Sequence, residues 1–174
     1  MLYSYLNVRG KALELAKEAY ERIEAAKSSI WSYGYLHLYL GLTYKNLGER
    51  EISFKMYRRA MVYAEEIHYT QVKAKALTGL SELYREQKEF ETALSHHEES
   101  IQLLEKIGAK CDLAEACYQL ALTYQAMGKP DQSQEYFAKA IQLYEEMEAP
   151  KQVEKVRRSM IPPSPPTLPG RQDL

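Results

Sequence analysis

The stretch LGLTYKNLGE, Leu40 to Glu49, has its first half repeated twice at a fixed distance, as LSELY at Leu80 to Tyr84 and LALTY at Leu120 to Tyr124. The interval is 40 residues in both steps. Other columns keep it: Tyr57, His97 and Phe137; Ala60, Ser100 and Ala140; Met61, Ile101 and Ile141; Glu65, Glu105 and Glu145. Self-similarity at one period of this length is the signature of stacked supersecondary units. Within each unit apolar residues recur at three and four, the helical period. The pattern breaks midway at Gly48, Lys88 and Gly128, and Pro130 follows where a first helical turn tolerates a missing amide hydrogen. Each unit reads as a hairpin of helices, near 33–47 and 50–67, 71–87 and 90–107, and 111–127 and 131–147. The expected fold class is all-α.

The two glycines of the quoted stretch have separate roles in this reading. His37, Leu40, Gly41, Tyr44 and Leu47 share one helical face, on which Gly41, like Ser81 and Ala121 in its column, lets a neighbouring helix approach while Tyr44, Tyr84 and Tyr124 fill the space beside it. Gly48 ends the helix. Burying three or four such side chains stabilises by roughly 1.5–3 kcal/mol each, against about 1–2 kcal/mol of backbone entropy per ordered residue, so a lone hairpin loses and stacking is required. A phosphate loop is excluded, because six residues separate the glycines where four are needed, and Glu49 stands where lysine would.

The 174 residues are 45% hydrophobic, enough for a continuous core, and 23 Lys and Arg against 24 Asp and Glu leave a formal charge of -1. No long-range field favours nucleic acid or an anionic membrane. No apolar run reaches membrane-spanning length, and residues 1–10 lack the features of a signal peptide, so a cytoplasmic protein is expected. Cys111 and Cys117 fall on different sides of one helix and read as reduced thiols, Cys117 buried.

Sites of chemistry are not expected. His96, His97, Glu98 and Glu99 are adjacent on a helix and point about 100° apart, so they do not converge on one metal ion. His97 shares the column of Tyr57 and Phe137 and reads as a partly buried, satisfied histidine; His37 reads the same way. No serine or cysteine sits in a nucleophile elbow. The 15 tyrosines raise the question of base stacking, but three are packing positions and the charge is slightly negative. The expectation is no catalytic residue, no cofactor and no metal.

An aromatic or apolar residue, a small residue four positions on, a tyrosine three further, then glycine, then Ala-x-x-x-aromatic-x-x-Ala in the second helix resembles the tetratricopeptide repeat over about residues 33–147. The 40-residue period is similar to the lengthened variety of kinesin light chains, animal spindle-orientation adaptors and bacterial peptide-sensing regulators. The chain departs from the pattern at His37, where the family prefers tryptophan, at Ser53 and Ser133, where Ala93 keeps the second-helix alanine, and at Lys88, in place of glycine. The resemblance implies a right-handed superhelix whose concave face is lined by first helices and binds peptides or partner proteins. On that geometry the binding surface would carry Tyr35, Leu38, Leu42, Lys45 and Asn46, then Lys75, Thr78, Glu82 and Arg85, then Tyr118, Leu122 and Gln125. The carboxylate clamp of the family's chaperone-binding members is absent, since Leu38 and Leu42 occupy its first lysine and asparagine positions. The adaptors' asparagine ladder is reduced to Asn46.

The expected organisation is a partial N-terminal repeat at 1–30, repeats at 31–69, 70–109 and 110–149, a capping helix at 150–160, and a proline-rich disordered tail at 161–174. In the first segment Tyr3 and Leu6 would close one helix and Ala12, Ala16 and Ala19 would form the inner face of a second, leaving a flank open to self-association. In the cap, Val153, Val156 and Met160 form an apolar stripe opposite Lys151, Lys155 and Arg158. The function expected is a non-catalytic interaction module for a peptide or protein segment. The alternative is the sensor part of a larger bacterial regulator.

Overall fold

The computed structural model describes residues 2–26 and 30–160, without the side chains of residues 2–7, 23, 26, 30 and 31. The tail at 161–174 and the side chains of Tyr3 and Leu6 lie outside the described residues. Eight helices make up the described residues: α1 (Leu2–Ala26), α2 (Ile30–Asn46), α3 (Arg50–Glu66), α4 (Thr70–Glu86), α5 (Phe90–Ile107), α6 (Lys110–Ala126), α7 (Pro130–Glu146) and α8 (Pro150–Met160). The pairs α2–α3, α4–α5 and α6–α7 form hairpins, and each second helix packs on the first helix that follows. The result is an all-α solenoid.

The junctions are more regular than the hairpins. A left-handed residue recurs every twentieth position, at Gly48, His68, Lys88, Gly108, Gly128 and Glu148. Each closes the same pair of backbone hydrogen bonds. At the first junction Gly48 N donates to Lys45 O (3.0 Å) and Glu49 N donates to Tyr44 O (2.9 Å), and the pattern returns through Ala149 N to Tyr144 O (3.0 Å). These bonds satisfy the last carbonyls of the departing helix. The residue after the left-handed one then accepts the first bond of the next helix, as when Ser53 N donates to Glu49 O (3.0 Å). Glu49, Tyr69, Glu89, Ala109 and Lys129 open α3 to α7 without a side-chain cap, so each start is set by the stop before it.

Small residues close the hairpins as the sequence implies, and the departures from the repeat pattern explain themselves. Ser53 Oγ donates to Gly41 O (2.7 Å) and Ser133 Oγ donates to Ala121 O (3.0 Å), both buried. In the middle hairpin the polarity is exchanged: the second helix keeps Ala93, and Ser81 on the first helix donates to Leu77 O (2.8 Å) within its own helix.

Two expectations need correction at the N-terminal end. α1 runs unbroken, so the helix end expected after Leu6 does not form. Forty residues before Gly48 stands Val8, and a β-branched residue is poorly suited to the left-handed conformation the junction needs. Ala16 is buried with Leu40, Tyr44 and Met56, but Ala19 is exposed; Leu13 and Tyr20 take the inner positions instead. Arg9 anchors the helix, donating from Nη2 to Leu47 O (2.7 Å) and Glu49 Oε1 (3.1 Å) at the α2–α3 turn. In α8, Val153 and Val156 are buried as expected, and the basic residues Lys151, Lys155 and Arg158 are exposed, with surface ion pairs along this face. Lys155 pairs with Glu115, Arg157 with Glu145 and Arg158 with Glu154.

Candidate peptide-binding groove

The first helices α2, α4, α6 and α8 lie side by side and line a cavity of about 400 Å³. Six of the residues expected at the binding surface meet in it: Leu38, Leu42, Lys45, Lys75, Thr78 and Glu82. Tyr39, Tyr57, Gly79, Asp112, Glu115, Gln119 and Lys155 complete it. Two of these were legible by the same 40-residue arithmetic, since Glu115 and Lys155 continue the column of Tyr35 and Lys75. Gly79 and Gln119 share a column with Tyr39, which was not expected at the surface. Tyr57 comes from a second helix, and no first-helix pattern would have found it.

The other six expected residues stand around the cavity rather than in it. Tyr35 turns sideways, its hydroxyl donating to Gln71 Oε1 (3.2 Å). Arg85 spans to α6, with Nη1 on Gln119 O (2.9 Å) and Nη2 on Gln119 Oε1 (3.0 Å). Tyr118 is buried and shares a hydrogen bond with Ser159 Oγ (2.9 Å), and Gln125 donates to Ser159 O (3.1 Å), so α8 engages both. Leu122 packs partly buried against the main core cluster, and Asn46 is exposed at the end of α2.

Within the groove, charge is matched across helix boundaries. Lys45 of α2 pairs with Glu82 of α4, Lys75 of α4 with Asp112 of α6, and Lys155 of α8 with Glu115 of α6 (3.2 Å). Glu115 also accepts from Gln119 Nε2 (2.8 Å) and Tyr144 Oη (3.0 Å), and Lys155 Nζ lies 4.5 Å from the centre of the Tyr118 ring. Thr78 is turned inward, sharing a hydrogen bond with Ser100 Oγ (2.8 Å). Apolar surface is what the groove leaves uncovered: Tyr39 is 62% exposed and Leu42 43%, one turn apart on α2.

The floor is built by close approach. The Tyr57 ring enters from α3 with its base against Gly41, where an added Cβ would lie 2.8 Å from Cδ1 and Cε1. The ring tip, Cζ, lies against Gly79 of α4, closer still. Burial, and then the charge of Glu82, push the Tyr57 phenol upward, so it stays protonated.

The histidines are more deeply buried than the sequence suggests. His97 is fully buried; its Nε2 meets Thr123 Oγ1 (3.0 Å) while Nδ1 has no partner, which corrects the expectation of a satisfied ring. Burial, with Arg85 and His96 nearby, pulls its pKa down to about 3. His37 Nδ1 donates to Tyr33 O (2.9 Å) while its Nε2 has no hydrogen-bond partner, so the same correction applies, and burial pulls this ring down as well. Cys117 is buried and its thiol is pushed up to about 11, the state of a structural thiol.

Side-by-side helical hairpins with an inner groove define a helical-repeat scaffold. Family models described as Tetratricopeptide repeat match residues 32–106 and 114–147, together more than half of the chain. The chain belongs to the tetratricopeptide-repeat proteins, which are generally non-catalytic scaffolds that mediate binding of protein partners. Solved structures agree: the crystal structure of BtubC (BKLC) from P. vanneervenii is similar at 15% identity and a TM-score of 0.65, over 99% of this chain and 82% of that one. At that identity the likeness is one of fold. Among curated proteins the chain has no match. No helix among the described residues is long and apolar enough to cross a membrane.

Proposed function

We propose that the groove between α2, α4 and α6 binds an extended peptide or partner segment, with residues 31–69, 70–109 and 110–149 acting as the three repeats that build it and the chain working in the cytoplasm. The observation that carries this reading is the exposed Tyr39–Leu42 lip beside charges already neutralised by one another. A ligand gains by covering apolar surface there, while lysines held in pairs contribute register and selectivity more than affinity. Partners with apolar anchors flanked by charges of both signs fit this arrangement.

Peptides selected from a displayed library against the immobilised protein test it. Leu42→Glu should weaken the selected peptides at least tenfold with helicity unchanged; equal binding by the variant overturns the groove assignment. Leu122→Glu, the symmetrical choice from sequence, is unsuitable because Leu122 packs against the core.

The regulator reading draws on one feature. Ion pairs bridge every neighbouring pair of first helices, so a ligand that breaks one changes their spacing. Self-association through α1 draws on Val8, 69% exposed, and Leu15, 56% exposed. Light scattering should then show mass rising with concentration in the parent and not in Leu15→Glu; a constant monomer mass removes this part.

A further inference from the structure

Tyr57 combines two properties that seldom occur together. The residue is 4% exposed, yet the described residues supply no hydrogen-bond partner to its hydroxyl. The hydroxyl itself is not sealed from solvent, since the buried side-chain atoms without a partner are His37 Nε2 and His97 Nδ1, so it can be met from the groove. The ring's direction shows where the group is aimed. Its base rests on Gly41 and its tip on Gly79, and Gly79 and Tyr57 both line the groove. In the column of Tyr39, Gly79 and Gln119 the middle side chain is missing, and the tip of the Tyr57 ring takes the room it would fill, so the phenol forms the floor of the groove at this notch.

We propose that this notch is a specificity subsite, in which the Tyr57 hydroxyl donates a hydrogen bond to a neutral acceptor of the bound segment while an adjacent aliphatic side chain packs on Leu38 and Leu42. The acceptor class follows from the surroundings. Burial and the Glu82 carboxylate keep the phenol protonated, so it acts as a donor. Each lysine of the groove is already held by a carboxylate, so an anionic acceptor finds no unpaired cation there, which leaves a main-chain carbonyl or a carboxamide. The proposal rests on the groove reading above and names the chemistry of one position within it.

Protein carrying tyrosine labelled with 13C at Cζ, titrated with N-acetylleucine N-methylamide and separately with N-acetylleucine, tests it. The neutral amide should produce a saturable shift at Tyr57 and the carboxylate a response at least fivefold weaker. Tyr57→Phe removes only the hydroxyl and keeps the packed ring, so the variant should melt at the same temperature as the parent while binding the amide, followed at the Leu42 methyls, at least fivefold more weakly. Equal affinity in Tyr57→Phe, or no saturable shift at Tyr57, overturns the subsite. The library selection reads the groove separately: peptides that are sensitive to Leu42→Glu but indifferent to Tyr57→Phe leave the groove standing and remove the subsite.

Discussion

Gly41 and Gly79 are the residues on which the interior depends, because the Tyr57 ring lies between them. Replacing either by alanine adds about 1 kcal/mol of helix propensity but drives a methyl into the ring, and overpacking of this kind costs about 1–3 kcal/mol. Gly79→Ala should therefore be net destabilising in urea unfolding. In a Tyr57→Ala background the sign should reverse, since only the propensity remains; a loss of similar size in both backgrounds would falsify the sandwich. His97 gives a second test. Its folded pKa, about 3, lies below the ordinary value of 6.5, so the unfolded chain binds the extra proton first. The stability this neutral ring allows is complete above about pH 6.5 and is lost as pH falls toward 3, at up to about 1.4 kcal/mol per pH unit, or about 2 kcal/mol by pH 5. His97→Phe, matching Phe137 in its column, should reduce the fall of the urea midpoint between pH 6.5 and 4, leaving the share that the buried His37 contributes. Thr123 keeps a partner in that variant, because its hydroxyl also donates to Gln119 O (3.1 Å). The tyrosine–glycine sandwich was half legible: the small-residue column at Gly41 announced a close approach, but the second contact at Gly79 lies outside that column and depends on how α3 meets α4.

At the scale of the element, helix ends carry the information that the hydrophobic pattern leaves out. The junctions at Gly48, Lys88 and Gly128 are legible in the sequence, because breaks within a repeat interrupt a visible motif. The left-handed residues at His68 and Glu148 are not, since no glycine marks them, nor is their identity with the junctions inside the hairpins. Lys88 sits at φ 63°, a conformation that costs an L residue about 1–2 kcal/mol. After the greater unfolded-state entropy of glycine is subtracted, Lys88→Gly should raise stability by about 0.5–1 kcal/mol, read as a shift in the urea midpoint. Charged side chains were the least legible element feature. Periodicity placed Lys45, Lys75 and Arg85 on the inner face, but their partners Glu82, Asp112 and Gln119 lie 34 to 37 residues away on the next first helix. Only packing brings them together.

For the whole molecule, stability is close to a sum of nearest-neighbour terms, since each helix touches chiefly its neighbours along the array. The middle of the array buries most: α4 and α6 each bury nine residues, whereas α1 is secured by Ala16, its partly buried flank and Arg9. Hydrogen exchange should therefore protect α4 to α6 best and α1 least, with Arg9→Ala speeding exchange in α1 and leaving α6 unchanged. Uniform protection across all the helices contradicts this. The even spacing of the left-handed residues also sets a ruler for rearrangement of the gene. A duplication or loss of 40 codons returns every side chain to its own face, lengthening or shortening the groove by one hairpin. A change of 20 codons also falls on matching junctions and leaves every backbone bond intact, yet it exchanges the inner and outer helices downstream, turning groove residues toward solvent and putting solvent-facing residues in the groove. Length variants of this architecture are thus tolerated in whole pairs, and a single-helix insertion yields a protein that keeps its helices and loses its recognition surface.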